Sequence, residues 1–435
     1  MMRLLDAFGR YVERYALVRA FLLVYLFLQP FERFTSVREI AFVLMLLFFV
    51  VRLTLGGVKL PFADWTVRAF AILAFVALLS AALSVYQLES FNAIRKNLLY
   101  QAVVFFVIIG EYKTFDALKE IFYALFVGFA ALSVVILLKY DIAELFNWLS
   151  LKEASFLGGY SLNAVFYIPL AVAYLFASKD SLTVKCVIAL FILIELVLSI
   201  LNNHRTQVVA ILAASALITI MARRYSHIVV GLVVCVIAGA IIFYMKPASF
   251  DRYKTLLNPA NYVSNDSVGW NDRASIWFGV IDMIKERPII GHGYGWKKIA
   301  LVAKDNGYLD NRWDKSGRTH LYFTQAGYGA ANPHNLPLQI LFEVGFAGLV
   351  AFVFFWCTVA VKGLNVIRLR GRAACTSGRF LTYAVPGVLL GYVLINFSNG
   401  LWEESYGVLM MSFAAACVVL SADLGQGAPG AIDER

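Results

Sequence analysis

Charge is scarce in this chain: Asp, Glu, Lys and Arg make up 15% of its 435 residues, hydrophobic residues make up 61%, and the mean hydropathy is +0.73. Soluble domains carry about a quarter charged residues, so the scarcity excludes a water-soluble globular protein. Short alternating segments of about ten residues, the mark of a membrane β-barrel, are also missing. Cysteine is sparse and misplaced for a framework. Cys186, Cys235, Cys357 and Cys417 lie in apolar runs and Cys375 in a basic loop, so neither disulfides nor a thiolate metal site is implied. The chain lacks His-Glu-x-x-His, Asp-x-Asp and Gly-x-x-x-x-Gly-Lys-Ser/Thr, so no metal, nucleotide or other cofactor is expected, and no nucleic-acid partner. Pro- or Ser-rich linkers, low-complexity tracts and internal repeats are absent too.

Long apolar runs are present instead. A helix needs roughly 20 mostly apolar residues to cross a bilayer, and about twelve windows qualify: near 16–31, 38–56, 66–87, 98–111, 117–139, 160–178, 184–201, 206–222, 226–244, 335–361, 379–397 and 403–421. The expected fold is therefore an all-α, multi-pass integral membrane protein. Its N-terminus, with Arg3, Arg10 and Arg14 ahead of the first apolar run, reads as a retained first helix. With that end in the cytoplasm, the connections on its side hold eighteen Lys and Arg, against seven in the short loops opposite. Because short cytoplasmic loops concentrate positive charge, both termini are expected inside. The chain then divides into three regions: 1–244 with nine spans, an outer loop at 245–334, and 335–435 with three spans and a short cytoplasmic tail.

The outer loop is far longer than a helix hairpin needs. It holds twelve Lys/Arg, eight Asp/Glu, and His292, His320 and His334, three of the five histidines. Within it "NDRASIWFGVIDMIKERP" predicts an amphipathic helix with Ile276, Trp277, Val280, Ile281 and Ile284 on one face, ended by Pro288 and lying near the membrane surface. "GHGYGW" at 291–296 has no βαβ context and reads as a sharp turn.

Several polar groups call for a reason. Arg205, in the turn "LNNHRTQVVAIL", either stays hydrated at the interface or holds an anion. Arg273 opens the amphipathic helix and is either a solvated first-turn residue or one held near the membrane plane. His334 stands at the start of the tenth span, where a helix N-terminus attracts anions and lowers an imidazole pKa; it either caps and packs or accepts a proton. Glu343, nine residues on, lies on the opposite helix face about 13 Å along the axis, so it does not orient that ring. Glu343 and Glu195 are intramembrane carboxyls that bond neighbouring helices, are neutral, or border a polar cavity. Arg95 and Lys96 form an outward basic pair, interfacial or supplementing a phosphate site, and Lys297, Lys298, Lys304 and Lys315 are generic outer-loop cations that an anionic acceptor could use.

Three segments together, "NNHRTQ", "DRASIWFGVIDMIKERPIIGHGYG" and "NPHNLPLQILFEVGFAGL", resemble the O-antigen ligase/polymerase superfamily of bacterial envelope glycosyltransferases, and its ligase branch in particular. Where that family often has Ser before the first arginine, this chain has Asn-His. The resemblance implies a GT-C-type membrane fold in the bacterial inner membrane with its active site on the periplasmic side. It implies an inverting, metal-independent transfer of O-antigen from undecaprenyl pyrophosphate to a sugar of lipid A-core, with Arg205 and Arg273 on the pyrophosphate and His334 as the catalytic histidine. Two other activities stay open within the family: polymerase action on a lipid-linked repeat and protein O-glycosylation. A lipid-linked glycan transporter, from a different class, would show a polar pathway through several spans. Here the polar residues of interest concentrate on one outer rim, although Pro169 and Pro386 interrupt two spans.

Overall fold

The computed structural model describes residues 12–13, 16–31, 34–139, 155–201, 205–226, 231, 236–237, 239–240, 243–244, 270–368 and 375–426. The expected ninth span, 226–244, falls mostly outside them, as do 245–269 of the outer loop. The described elements are helical: α1 Leu17–Phe27, α2 Thr35–Thr54, α3 Trp65–Ala82, α4 Gln87–Glu111, α5 Phe115–Lys139, α6 Ser155–Ala177, α7 Leu182–Leu201, α8 Arg205–Met221, α9 Trp270–Glu286, α10 Ile299–Asp305, α11 Arg318–Gln325, α12 Leu336–Arg368, α13 Thr376–Asn396 and α14 Glu404–Gln426. Among the described residues seven helices can cross a membrane by length and composition, those within α3, α4, α5, α7, α12, α13 and α14, while Leu17–Phe27, Leu162–Ala177 and Thr206–Met221 are shorter apolar helices. The chain is thus a multi-pass membrane protein. The fourth span begins earlier than the apolar run at 98 implies, because α4 carries Arg95 and Lys96 inside a π-turn at Ile94–Leu98.

Lipid tails are as apolar as leucine, so the bundle coheres by close packing more than by burial from water. α13 shows how: a Cβ on Gly387 would stand 2.3 Å from Ile218, and one on Gly391 3.3 Å from the Ala214 methyl, so this small-x-x-x-small pair lets α8 lie antiparallel against it. Polar groups within the bundle find partners on neighbouring helices. Glu195 of α7 accepts the Ser133 hydroxyl of α5 at 2.5 Å, which selects the helix-bonding role among those open to that carboxyl. One end of the bundle collects ion pairs and hydrogen bonds between connections: Arg52–Glu111 at 3.2 Å, Lys362–Asp64 at 2.8 Å, Lys119–Asp180 at 3.2 Å and Ser377–Asp423 at 2.8 Å. These gather the ends of α2, α4, α12 and α14, the starts of α3, α5 and α13 and the α6–α7 connection at one end of the bundle, the alternation that the expected hairpins require.

The opposite end carries the outer segment, which builds a small core of its own from Ile276, Val280, Met283, Val302, Phe323 and Phe342. The buried stripe of α9 is Ile276, Val280 and Met283, at i, i+4 and i+7, while Ile281 is 37% exposed. The face therefore sits rotated from the expected one. Met283 turns inward under His292, and Ile281 and Phe278 turn out.

α12 is not continuous. Gly345, at φ 66° and ψ −167°, breaks it, and the expected turn at 291–296 begins the repair. His292 and Gly293 donate their N–H groups to the Phe342 and Glu343 carbonyls at 2.8 and 2.9 Å, and Phe346 and Ala347 donate to the Pro288 and Ile289 carbonyls at 2.8 and 3.0 Å. The two backbones touch: a Cβ on Gly345 would lie 2.3 Å from the Ile289 carbonyl carbon, and one on Gly291 2.6 Å from that of Glu343. Both glycines have positive φ, so a side chain at either would be strained as well as blocked. Gly345→Ala is predicted to cost about 2 kcal/mol or more, seen as a lower melting temperature in detergent, while Gly425→Ala, with nothing near its would-be Cβ, leaves it unchanged. Equal melting temperatures for the two variants would refute the crossing as a constraint.

Candidate active site

His334 precedes α12 by two residues instead of opening it. Asn335 is the cap, its Oδ1 accepting the Leu338 N–H at 3.1 Å, and the helix begins at Leu336. His334 itself is held at φ 47°, a left-handed conformation uncommon for a non-glycine residue. Its N–H donates to Asn332 Oδ1 at 2.7 Å, so the Asn-Pro-His-Asn sequence makes an Asx turn and then a cap. The backbone around His334 is thereby held by two local side chains, and Glu343 instead bonds Gln339 and Gly295, away from the histidine as the helical spacing predicts.

α9 is tied to this turn from outside. The Trp277 indole donates to the Pro333 carbonyl at 2.6 Å. Arg273 lies one helical turn earlier on the same face, half-buried and cationic, with its pKa lowered by desolvation. Burial, and then the Arg273 charge, push His334 down to about 4 from its ordinary 6.5, leaving a neutral imidazole at physiological pH. The sequence candidates Arg273 and His334 are thus neighbours. Arg205 opens α8, and the antiparallel packing of α8 on α13 sets that opening at the end of the bundle where α13 finishes and 399–403 begin; its side chain lies outside the described residues. The other outer histidines are occupied in packing. His292 bonds the Met283 carbonyl at 2.8 Å and stacks on Phe342, and His320 bonds the Leu309 carbonyl at 2.9 Å.

His334 borders a cavity of about 900 Å³, with Asn332, Arg95, Lys96, Lys298 and Glu403 also on its wall. Arg95 and Lys96 therefore face a cavity and not lipid alone. Lys298 is not the generic surface cation that the sequence implies: its side chain is buried, and its ammonium donates to Ser90 Oγ and to the Tyr294 and Gly295 carbonyls at 3.0, 2.7 and 2.9 Å. Burial pulls its pKa down to about 8, while Glu343 and Glu403 nearby hold it up, so it is still charged at neutral pH. Glu343 accepts from Gln339 Nε2 at 2.7 Å and from the Gly295 N–H at 3.0 Å, and Glu403 accepts from Asn97 at 3.1 Å. The Lys298 ammonium nearby offsets part of the charge that these carboxyls carry. Sequence reasoning missed Glu403 and the buried role of Lys298; the one available signal for the latter was a lysine wedged between Tyr294-Gly-Trp and the apolar run Ile299–Ala303. Of the remaining acceptor candidates, Lys304 bonds the Ala326 carbonyl at 2.9 Å and Lys297 borders the cavity.

The described residues thus form a helical membrane bundle with a cavity at one end, bordered by His334, whose ring lies near the Arg273 charge. Residues 188–353 match the family described as O-antigen ligase, a stretch that includes Arg205, Arg273 and His334. It is 27% identical over 176 residues to a protein of Rickettsia typhi provisionally named a polysaccharide ligase, and 30% identical over 119 residues to one of Rickettsia prowazekii with the same description. Those matches cover 40% and 27% of this chain, and 39% and 26% of the relatives, so the chain spans well under half the length of the curated relatives it matches.

Lys298→Met is predicted to destabilise the fold by roughly 3–5 kcal/mol, because it leaves a buried carboxylate without its cation; adding Glu343→Gln restores part of the loss. Thermal unfolding in detergent measures both, and a single variant as stable as the wild type would exclude this charge balance.

Proposed function

We propose that the protein is a lipid-linked-glycan glycosyltransferase of O-antigen ligase type, a GT-C-type enzyme with about twelve spans in the bacterial inner membrane and its active site on the periplasmic side. It moves O-antigen from undecaprenyl pyrophosphate to a sugar hydroxyl of lipid A-core, inverting the anomeric centre without a metal. The observation that carries this reading is the pairing of Arg273 with a neutral His334 at the outer end of the bundle, through the Trp277–Pro333 hydrogen bond. The basic-rich end described above is then cytoplasmic.

The chemistry rests on those two groups and Arg205. Cleaving the sugar–pyrophosphate bond builds negative charge on the leaving phosphate, and guanidiniums take it up through paired, charge-assisted hydrogen bonds. The imidazole removes the proton of the acceptor hydroxyl as its oxygen attacks the anomeric carbon from the face opposite the departing pyrophosphate. In the free protein the imidazole is a weak base, first because it is buried and second because Arg273 opposes another positive charge. A bound pyrophosphate neutralises Arg273 and so raises the basicity of His334 when the donor is in place. The boundary position suits a donor whose polyprenyl tail stays in lipid.

With purified protein, lipid-linked glycan, lipid A-core and a chelator, His334→Ala is expected to lose transfer by at least about a hundredfold, the usual worth of a general base. Full activity in that variant would eliminate the assignment. Offering a lipid-linked repeat beside lipid A-core separates ligase from polymerase. The charge coupling has its own test, in the pH dependence of carbethoxylation of His334, which needs a neutral ring. Because its pKa is depressed, reactivity persists down to about pH 4–5 and fails below; Arg273→Gln moves that limit upward, toward the roughly 6.5 of free histidine. An unmoved limit would mean that the two groups do not sense each other.

A further inference from the structure

We propose that the cavity beside His334 holds a second anion subsite, made by Arg38, Arg95 and Lys96, that binds a phosphate- or carboxylate-bearing sugar of the acceptor glycan. Five cations and three carboxylates border this cavity, and they are not equivalent. Lys298 is consumed by its three buried bonds. Of the carboxylates, Glu39 accepts the Tyr100 hydroxyl and Glu403 accepts from Asn97, so protein donors already serve them; Glu89 is the third. Arg38, Arg95 and Lys96 make no hydrogen bond or ion pair to another described residue. Three cations gathered on one concave wall repel one another and raise the local concentration of an anion.

The backbone supports the same conclusion. Arg95, Lys96 and Asn97 come from the π-turn of α4, closed by the Leu99 N–H on the Ile94 carbonyl, and such turns are frequent at functional sites. The wall also offers Trp296 and Tyr328, whose faces suit the apolar side of a sugar ring, and the volume of about 900 Å³ lies at the upper end of the roughly 300–1,000 Å³ typical of small-molecule sites. Arg273 is not on this wall, so the subsite is distinct from that guanidinium. Calling the bound glycan an acceptor rests on the transferase reading; its binding does not.

Isothermal titration of the full chain in nanodiscs of neutral lipid tests this without turnover. The probes are a phosphorylated oligosaccharide of otherwise neutral sugars, the same oligosaccharide made neutral by phosphatase treatment, and that neutral oligosaccharide extended by one uronic acid, which makes it anionic. Binding of either charged glycan is expected, with the phosphatase product at least about tenfold weaker. Arg95→Gln/Lys96→Gln, and separately Arg38→Gln, should lower affinity for the charged glycan by a similar factor and leave that for the neutral one unchanged, at an unaltered melting temperature. Equal binding of charged and neutral glycans, wild-type affinity in these variants, or displacement by an anionic phospholipid would overturn the subsite, the last by assigning the cations to lipid headgroups. Transfer to a neutral acceptor by a variant that no longer binds the charged glycan keeps the transferase reading, and binding without any transfer by the wild type removes it while keeping the subsite.

Discussion

Every unpaired peptide group in a bilayer costs several kcal/mol, so a helix can be interrupted there only where another segment completes its hydrogen bonds. The crossing of residues 288–293 over the break at Gly345 meets that demand with four backbone bonds. Ser80 of α3 adds to it, its hydroxyl bonded to the Ile290 and Glu343 carbonyls at 2.6 and 2.8 Å. The outer segment, α3 and both halves of α12 are therefore locked together at one point, from which His334 stands about three helical turns away along the first half of α12.

The same crossing fixes the electrostatics. Gly295 lies just past the crossed residues and gives its N–H to Glu343, and its carbonyl helps hold Lys298. A buried lysine with three acceptors and two nearby carboxyls is an assembly in which opposite charges offset one another. On the cavity side the balance differs, because Arg38, Arg95 and Lys96 are turned to the cavity while Glu39 and Glu403 are bonded within the protein. Those three cations direct a positive field into the cavity.

Much of this was legible in the sequence, and the exceptions share a cause. Composition and run length gave the multi-pass helical class, and helical spacing separated Glu343 from His334. The sharp turn at 291–296 was readable from its glycines, but its partner was not, since Gly345 sits in an apolar run broken only by Glu343 and only a second backbone pressed against it exposes the break. Arg95 and Lys96 looked interfacial because their outward direction depends on the π-turn, which leaves no compositional trace. Lys298 looked solvated because its acceptors are main-chain carbonyls and a serine more than 200 positions away. Local pattern is readable along a single chain; pairing between distant segments is not.

The π-turn in α4 also governs which way each half of that helix faces. Each residue added to a helix rotates all later side chains by about 100°, so the extra residue resets the angular phase between the two halves of α4. Above it, the helix turns polar side chains toward the cavity; below it, Val104, Phe105 and Ile108 are fully buried against the bundle. One regular spiral cannot serve both directions, and a single-residue deletion at this level would swing one of the two faces into lipid.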